Sequence, residues 1–316
     1  MSKSNRNGRA LEYAYLHSLV DKLGITREVI VEQNSSLLAA TRAWNSIDND
    51  LKNLFLLAAS AGIDAIIEAE PLILEDGNDS LHLKLQCDNV GIEGDVRDVL
   101  IIRRDINWEI GISIKNNHFA VKHSRLSKNL DFCKKWFGVN CSDNYWLEIK
   151  PIFDYLESKQ IENTKWSDLP SKDDTIYKPL LVAFINELTK KYSELNDLIP
   201  KKLVEYLIGK HDFYKNINLL KKRITQVQPF NFQKTLGKKS KSRKSKILIP
   251  VAKFPTRIIS IGFKPNSKNT IELFLDEGWQ FTFRIHNART LVESSLKFDI
   301  QTIGMPTSII CLEYKW

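Results

Sequence analysis

The spacing of apolar residues predicts that the first part of the chain is helical. Apolar positions in residues 9–23 recur at the three- and four-residue intervals of a helix, and Gly24 stands where such a helix would end. Helical patterns continue through residues 28–70, and Pro71 closes that region. We therefore expect an N-terminal helical layer.

Strands are predicted beyond this point, where apolar and polar positions begin to alternate. Residues 79–87 alternate in this way. Residues 99–104 and 108–115 predict two further strands, joined by a short polar turn. Four later stretches predict a C-terminal β-rich unit: residues 258–264, 270–276, 279–288 and 296–304.

Between these two groups of strands the chain is expected to be mostly helical. Residues 147–225 are rich in Lys, Asp and Glu, with helix breakers at Pro170, Pro179 and Pro200. Residues 234–246 are dense in Lys and Arg and contain no acid, which is typical of a solvated linker or of a segment that binds nucleic-acid phosphates. The predicted organisation has four segments: a core with N-terminal helices (1–145), a helical region (146–233), a basic linker (234–247) and a C-terminal β-rich domain (248–316).

Composition narrows the class of protein. The 316 residues are 43% hydrophobic and 27% charged, as in ordinary globular domains. No uninterrupted apolar run reaches the roughly 18 residues that a membrane helix needs. The net charge of +8 favours a polyanionic partner. The polar N-terminus has no apolar signal core, and the four cysteines show no metal-ligand spacing, so we expect a cytoplasmic protein with free, buried or half-buried thiols.

Candidate chemistry is concentrated in the predicted hairpin at residues 94–115. A two-residue loop at Ile106-Asn107 would place Asp98 directly across from Lys115, with β-carbons about 5 Å apart. Ser113 lies on the same face, while isoleucines fill the other. A three-residue loop would instead put the Asp98 side chain on the opposite face from Lys115.

An Asp and a Lys at this spacing suit the hydrolysis of a phosphodiester. A carboxylate binds a hard divalent cation such as Mg²⁺, which lowers the pKa of a bound water and offsets charge in the transition state. A nearby lysine orients that water and stabilises phosphate oxygens. The same two residues also fit an exposed cross-strand ion pair without catalytic function.

The stretch resembles the core of PD-(D/E)XK nucleases, in which an Asp begins one strand and a (D/E)-x-K triplet lies on the next. Asp98 matches the Asp, and Ser113-Ile114-Lys115 matches the triplet, with serine where the family has an acid. The resemblance implies a mixed α/β restriction-endonuclease-like core with a helical N-terminal layer and insertion. It also implies that Asp98 and the Ile114 carbonyl bind Mg²⁺, and that Lys115 and Ser113 lie beside it.

The serine leaves the second acidic ligand open. Residues 8–12, Gly-Arg-Ala-Leu-Glu, resemble the G-x-x-x-E start of the helix before this core, whose glutamate points at the metal or its water. Glu12 is therefore the favoured candidate, with a solvated helix carboxylate as the alternative. Asp95 competes with Asp98, but its place before the strand favours a loop or cap role. Glu109 lies about 13 Å along the strand from Ser113, too far for a shared ligand site.

Longer stretches are similar to the HaeIII-type family of type II restriction endonucleases: residues 7–15, 94–105, 108–127 and 278–306. This resemblance implies Mg²⁺-dependent cleavage of double-stranded DNA within GGCC, leaving 5′-phosphate and 3′-hydroxyl ends. It also implies a cognate DNA methyltransferase that protects the same site. Because a palindromic site has two-fold symmetry, a homodimer is expected.

Polar residues in two places are candidates for contacts with DNA. One group follows Lys115, and the other lies at a strand end in the C-terminal unit. Arg125 and Lys122 are the first choices for reading O6 and N7 of guanine, although a contact to phosphate or solvent fits each of them as well. The full set is Asn116, Asn117, His118, Lys122, His123, Arg125, Arg284, His286 and Asn287.

Two other functions stay open at this point. One is a different nuclease on the same core, such as a repair or structure-specific enzyme. The other is a sequence-specific DNA-binding protein without enzymatic activity. A histidine-ligated zinc nuclease is disfavoured, because His118 and His123 have no partner pattern of His or Cys nearby.

Overall fold

The computed structural model describes residues 3–75, 79–87, 95–117 and 120–316. They form a mixed α/β protein with two sheets and two compact units. Unit 1 comprises Met1–Phe119, Gly209–Ala252 and Thr307–Trp316, and unit 2 comprises Ala120–Ile208 and Lys253–Pro306. This division differs from the four consecutive segments predicted, because strands distant in sequence pair within one sheet.

Two helices of unit 1 begin at side chains that cap them. The Oδ1 of Asn34 accepts the N–H of Leu37 at 2.9 Å, and the Oδ1 of Asp48 accepts the N–H of Leu51 at 2.8 Å. The first helix begins at Lys3, earlier than predicted, so Gly8 lies inside it. The helices are α1 (Lys3–Leu23), α2 (Ser35–Asn45), α3 (Asn49–Ala69) and α4 (Pro71–Leu74).

A seven-stranded mixed sheet forms the centre of unit 1, in the order β1-β2-β3-β4-β6-β7-β12. Its strands, numbered along the whole chain, are β1 (Val29–Val31), β2 (Leu81–Leu85), β3 (Val99–Arg103), β4 (Trp108–Asn116), β6 (Phe213–Leu219), β7 (Ile224–Phe230) and β12 (Leu312–Lys315). β3 and β4 pair antiparallel, as predicted, whereas β4 and β6 pair parallel. Helices α1 and α3 pack on this sheet over a core that includes Ile101 and Ile112.

The prediction of helix was wrong for β1, β6 and β7. β1 has three residues, and its apolar pattern merges with that of the helices that follow. β6 is buried at six of seven positions. Its sequence therefore lacks the alternation of apolar and polar residues that marks a strand with one solvent-exposed face. Three of those buried positions are polar: Lys215, Asn216 and Asn218.

Unit 2 contains a five-stranded antiparallel sheet and four α-helices. The C-terminal strands were predicted correctly, and β5 joins them beside β11. The strands are β5 (Ala120–Leu126), β8 (Ile258–Phe263), β9 (Thr270–Leu275), β10 (Gln280–His286) and β11 (Leu296–Gly304), in the order β5-β11-β10-β9-β8. The helices are α5 (Phe132–Phe137), α6 (Asp143–Ile161), α7 (Lys178–Leu195) and α8 (Leu198–Leu207).

Aromatic rings make up much of the core of unit 2. Trp136 stacks on Tyr206 with ring centroids 5.1 Å apart, and Phe184 lies 5.0 Å from Phe298. Trp136 and Tyr145, which were interpreted as core residues, are buried, while Trp146 is half-buried. These rings therefore serve packing rather than base stacking.

None of the four cysteines, all of which lie in the part of the chain that the structure describes, forms a disulfide. Cys133 and Cys141 are buried and Cys87 is half-buried, as expected, but Cys311 is exposed. Among the helices that the structure describes, none is long and apolar enough to cross a membrane.

The basic segment 234–246 is held by Glu70, at the end of α3, and by Glu75, which follows α4. The Gly237 N–H donates to Oε1 of Glu70 at 2.8 Å, and the Lys241 N–H donates to Oε1 of Glu75 at 2.7 Å. The backbone of this segment is therefore fixed to unit 1, while Lys239, Lys241 and Arg243 point their charges into solvent.

Glu70 predicts a specific dependence of stability on pH. Burial raises its pKa from 4.5 to about 7, although the Tyr214 hydroxyl and the Gly237 N–H donate to it. Its contribution to stability is thus full below pH 4.5 and is lost as the pH rises through 7. Glu70→Gln should remove this loss, so its free energy of unfolding, measured with denaturant, should fall less than that of the wild type between these limits. Parallel pH profiles for both proteins would contradict the assignment.

Candidate active site

The β3–β4 hairpin has a longer loop than predicted. Val99 pairs with Ile112 and Arg103 with Trp108, which leaves a four-residue loop, 104–107, in place of the predicted two-residue loop. Asn107 adopts a left-handed conformation (φ 49°) and donates its N–H to the Arg104 carbonyl at 3.1 Å. Asp98 therefore lies beside Ser113, and the predicted direct opposition of Asp98 and Lys115 was wrong.

Because the register differs by an even number of residues, Asp98 and Lys115 still share a face of the sheet. The Oδ2 of Asp98 accepts the Ile114 N–H at 2.5 Å, the Lys115 ammonium at 3.3 Å and the Ser113 hydroxyl at 3.5 Å. The side chains of Asp98 and Lys115 are 25% and 30% exposed. Both are thus within reach of a ligand.

Glu12 completes an acidic pair with Asp98. It projects from α1, and its Oε2 accepts Nη1 of Arg9 at 3.2 Å. Burial and the charge of Asp98 raise the pKa of Glu12 to about 8, although Arg9 and Lys115 lower it. A cation between the two carboxylates would offset both effects.

The Ile114 carbonyl lies on the side of β4 that faces β3. Alternate residues of a strand direct their N–H and C=O groups to the same neighbour. Ile112 accepts the Asp98 N–H at 2.8 Å, and the Ile114 N–H points to the Asp98 side chain. The Ile114 carbonyl therefore faces the side of Asp98, beyond the first residue of β3.

A buried polar network supports this end of β4. The Tyr15 hydroxyl donates to Oδ1 of Asn218 at 2.9 Å, and the Asn218 amide donates to the Lys115 carbonyl at 3.1 Å. Asn216 donates to the Tyr15 hydroxyl at 3.1 Å. A β-carbon on Gly62 would lie 2.5 Å from the Asn216 amide, so this position needs glycine. Sequence reasoning missed the network, because β6 was expected to be helical.

Arg97 binds Asp95 and Glu109, the two carboxylates that were weighed as alternative metal ligands. Its Nε and Nη2 donate to both oxygens of Asp95 at 2.8 and 2.7 Å, and its Nη1 donates to Glu109 at 2.8 Å. Its aliphatic stem fills the space that a side chain at Gly111 would occupy, since a β-carbon there would be 2.0 Å from Cδ. The charges of Asp95 and Glu109 are thus compensated by the guanidinium group of Arg97.

Glu12, Asp98 and Lys115 therefore interact electrostatically, and the Ile114 carbonyl lies on the side of β4 that faces Asp98. Oxygen donors of this kind suit a hard divalent cation. The ammonium group suits an anionic substrate, such as a phosphate.

Comparison with known proteins identifies the family. The HaeIII restriction endonuclease family matches residues 8–306. Over 315 residues the sequence is 52% identical to the "Type II restriction enzyme HaeIII" of Haemophilus aegyptius, covering 100% of this chain and 99% of that protein. The chain belongs to the HaeIII restriction endonuclease family. The predicted resemblance is confirmed. No solved structure matches the chain significantly.

Membership in the HaeIII family makes this chain a restriction endonuclease, so the prediction of a site-specific deoxyribonuclease is confirmed. It also disfavours a DNA-binding protein without enzymatic activity. The family alone assigns no roles to residues of this chain.

In this HaeIII-family chain, several predicted DNA contacts lie on one face of the unit 2 sheet. Arg284 pairs with Asp299, which pairs with His123, and His286 pairs with Lys297, which pairs with Arg125. Paired residues share a face. Arg284 is exposed, whereas Arg125 donates to Ser295 and Glu293, and His286 lies 3.6 Å from Asp299. The side chains of Lys122 and His123 lie outside the described residues.

Asn287 and Asn117 have structural roles in the described backbone. The Asn287 amide donates to the Leu291 carbonyl, and its Oδ1 accepts the Glu293 N–H at 3.0 Å. Asn117 is left-handed (φ 52°) and donates its N–H to Asn218 at the end of β4. Asn116 ends β4 and is half-buried. His118 lies outside the described residues.

A second group of side chains of the types that bind metal ions lies in unit 2. Cys133, Cys141 and Glu187 approach one another closely and are buried. Glu187 already accepts the N–H and hydroxyl of Ser142, and the Lys191 ammonium lies 3.7 Å from it. The nearby ammonium opposes a metal ion, so this cluster is a poor match for a metal site.

Asp95 and Asp98 should respond differently to loss of charge. Asp95→Asn breaks a buried ion pair with Arg97, which typically costs about 3–5 kcal/mol of stability, but it should leave DNA cleavage by the folded protein intact. Asp98→Asn should abolish cleavage with little change in thermal stability. Thermal unfolding and digestion of plasmid DNA check both variants. Cleavage by Asp98→Asn at the wild-type rate would contradict the assignment.

Proposed function

We propose that this chain is a Mg²⁺-dependent type II restriction endonuclease that cuts both strands of DNA at GGCC. The observation that carries the proposal is the contact between Asp98 and Lys115 beside Glu12, in a member of the HaeIII family. GGCC is the recognition sequence that the family resemblance implies.

We further propose that unit 1 is a PD-(D/E)XK nuclease core. The supporting features are an Asp at the start of β3, the Ser113-Ile114-Lys115 triplet on the adjacent strand β4, and a preceding helix that carries Glu12. Ser113 replaces the acid of the triplet. In this proposal Glu12 provides the carboxylate that the serine lacks.

Asp98, Glu12 and the Ile114 carbonyl would hold the Mg²⁺ ion. When bound there, the ion lowers the pKa of a water and offsets negative charge on the scissile phosphate. Lys115 donates hydrogen bonds to the water or to a phosphate oxygen, and it is held close by Asp98. The Ser113 hydroxyl donates to Asp98 and so fixes the carboxylate orientation. The expected products carry 5′-phosphate and 3′-hydroxyl ends.

Contacts with DNA are proposed for residues in both units. Arg284, Arg125 and His286 would contact bases or phosphates from the exposed face of the unit 2 sheet, and Lys122 and His123 of β5 are further proposed contacts. The exposed cations of segment 234–246 would neutralise phosphates, which makes binding sensitive to salt. We propose a homodimer, because GGCC is a palindrome, and a cognate methyltransferase that protects the same site.

Digestion of a sequenced plasmid tests the proposed activity. With Mg²⁺, the protein should give discrete fragments whose ends all lie in GGCC, and a chelator should stop the reaction. Methylation of GGCC should protect the plasmid. Fragment ends spread over unrelated sequences, as a repair or structure-specific nuclease would give, would contradict the proposal.

Lys115→Ala tests the catalytic ammonium group. We expect cleavage to fall by at least about a hundredfold, because both the orientation of the water and the phosphate contact are lost. Binding to a GGCC duplex should persist in a gel-shift assay, and the midpoint of thermal unfolding should change little because the side chain is partly exposed. Turnover of Lys115→Ala at the wild-type rate would show that Lys115 has no catalytic role.

Arg284→Gln and Asn287→Ala test the face of the unit 2 sheet. Arg284 is exposed, so its replacement should weaken binding to a GGCC duplex and leave stability unchanged. Asn287 bonds within its own loop, so its replacement should cost about 1 kcal/mol of stability and affect binding less. Equal binding by Arg284→Gln and the wild type would exclude this contact.

A further inference from the structure

A row of polar side chains crosses the unit 1 sheet at the level of the candidate site. Asp98 contacts Ser113, Ser113 pairs with Lys215 of β6, and Lys215 pairs with Gln228 of β7. Directly paired residues of adjacent strands share a face of the sheet. Lys215 therefore lies on the face that carries Asp98, one strand beyond Ser113.

Lys215 is a buried cation without a counter-charge in the described residues. It is 8% exposed, and its ammonium makes no ion pair with any carboxylate in the part of the chain that the structure describes. The neighbouring Gln228 Oε1 is buried and also has no partner within those residues. Burying an uncompensated ammonium costs several kcal/mol, so such groups are rare unless a ligand compensates them.

The electrostatics of Lys215 depend on its burial and on the other lysine of the site. Burial, and to a smaller extent the charge of Lys115, together lower the pKa of Lys215 to about 8. The two ammonium groups are therefore close enough to repel each other. An anion between them would relieve this repulsion.

The other lysine that the structure describes as buried behaves differently. Lys191 is 9% exposed, and its ammonium lies 3.2 Å from Glu194 and 3.7 Å from Glu187. Its charge is compensated within the protein. Lys191 is therefore a matched control for Lys215.

We propose that Lys215 is a second phosphate-contacting lysine of the active site, whose counter-charge is the phosphodiester of bound DNA. This inference rests on the proposed function, since the phosphate is that of the DNA substrate. Lys115 and Lys215 would then contact the same phosphate or adjacent ones from strands β4 and β6. In this arrangement the unfavourable burial of Lys215 is offset when DNA binds.

Lys215→Met tests the proposal, because methionine is of similar length and carries no charge. We expect the cleavage rate with Mg²⁺ to fall at least about tenfold and the thermal unfolding midpoint to stay the same or rise. In metal-free titrations of a duplex with one GGCC site, the slope of log affinity against log salt should become shallower by about 0.9, the value for one lost phosphate contact. Lys215→Arg should retain the wild-type slope.

Lys191→Met serves as the control. It should lower the unfolding midpoint, because Glu187 is left buried without a cation, and it should leave the salt slope unchanged. A wild-type salt slope and cleavage rate in Lys215→Met would overturn the proposal. If Lys215→Met and Lys215→Gln both fail to fold while Lys215→Arg folds, the charge serves the fold and the proposal is also overturned.

The failure of the two proposals can be told apart. If the wild type does not cut GGCC with Mg²⁺, the proposed function fails, whereas the salt slopes of wild type and Lys215→Met still decide whether Lys215 contacts a phosphate. If the wild type cuts and Lys215→Met matches it in rate and slope, the inference on Lys215 alone fails.

Discussion

The bond between the Ile114 N–H and the Asp98 carboxylate determines how the candidate site is built. A strand amide that would otherwise pair with backbone is satisfied by a side chain, 2.5 Å away, at the point where β3 begins. This bond fixes one oxygen of Asp98 and places the carboxylate next to Ser113 and Lys115. It also directs the Ile114 carbonyl toward the same place. The register of one hairpin thus sets the position of three groups.

The position of the first helix depends on a second constraint, the buried network around Tyr15. Tyr15 and Glu12 are three residues apart on α1, so they lie on neighbouring positions of one helix face. Tyr15 bonds to Asn218, and Asn218 bonds to the Lys115 carbonyl. The same network therefore fixes the helix that carries Glu12 and the strand that carries Lys115. Rigid elements of this kind hold catalytic groups in place.

The sequence was informative where a local pattern carried the signal. Alternation predicted the C-terminal strands, and the Asp98 and Lys115 positions were predicted to share a face. The loop length was wrong by two residues, which shifts the pairing but preserves the face. β6 was missed because it is buried at six of its seven positions and polar at three of those, so its sequence shows neither the helical nor the strand period of apolar residues. Lys215 and Asn218 could not be placed without it. Arg97, which neutralises Asp95 and Glu109, gave no periodic signal at all.

We propose that Asp98, Glu12 and the Ile114 carbonyl form a divalent-metal site. The most direct test is a crystal structure of the protein with a GGCC duplex and Mn²⁺, with anomalous scattering used to locate the metal. We predict an anomalous peak within coordination distance of the Asp98 carboxylate and close to the cleaved phosphate. A peak at Asp95 or at the Cys133–Cys141–Glu187 cluster, with none at Asp98, would contradict it.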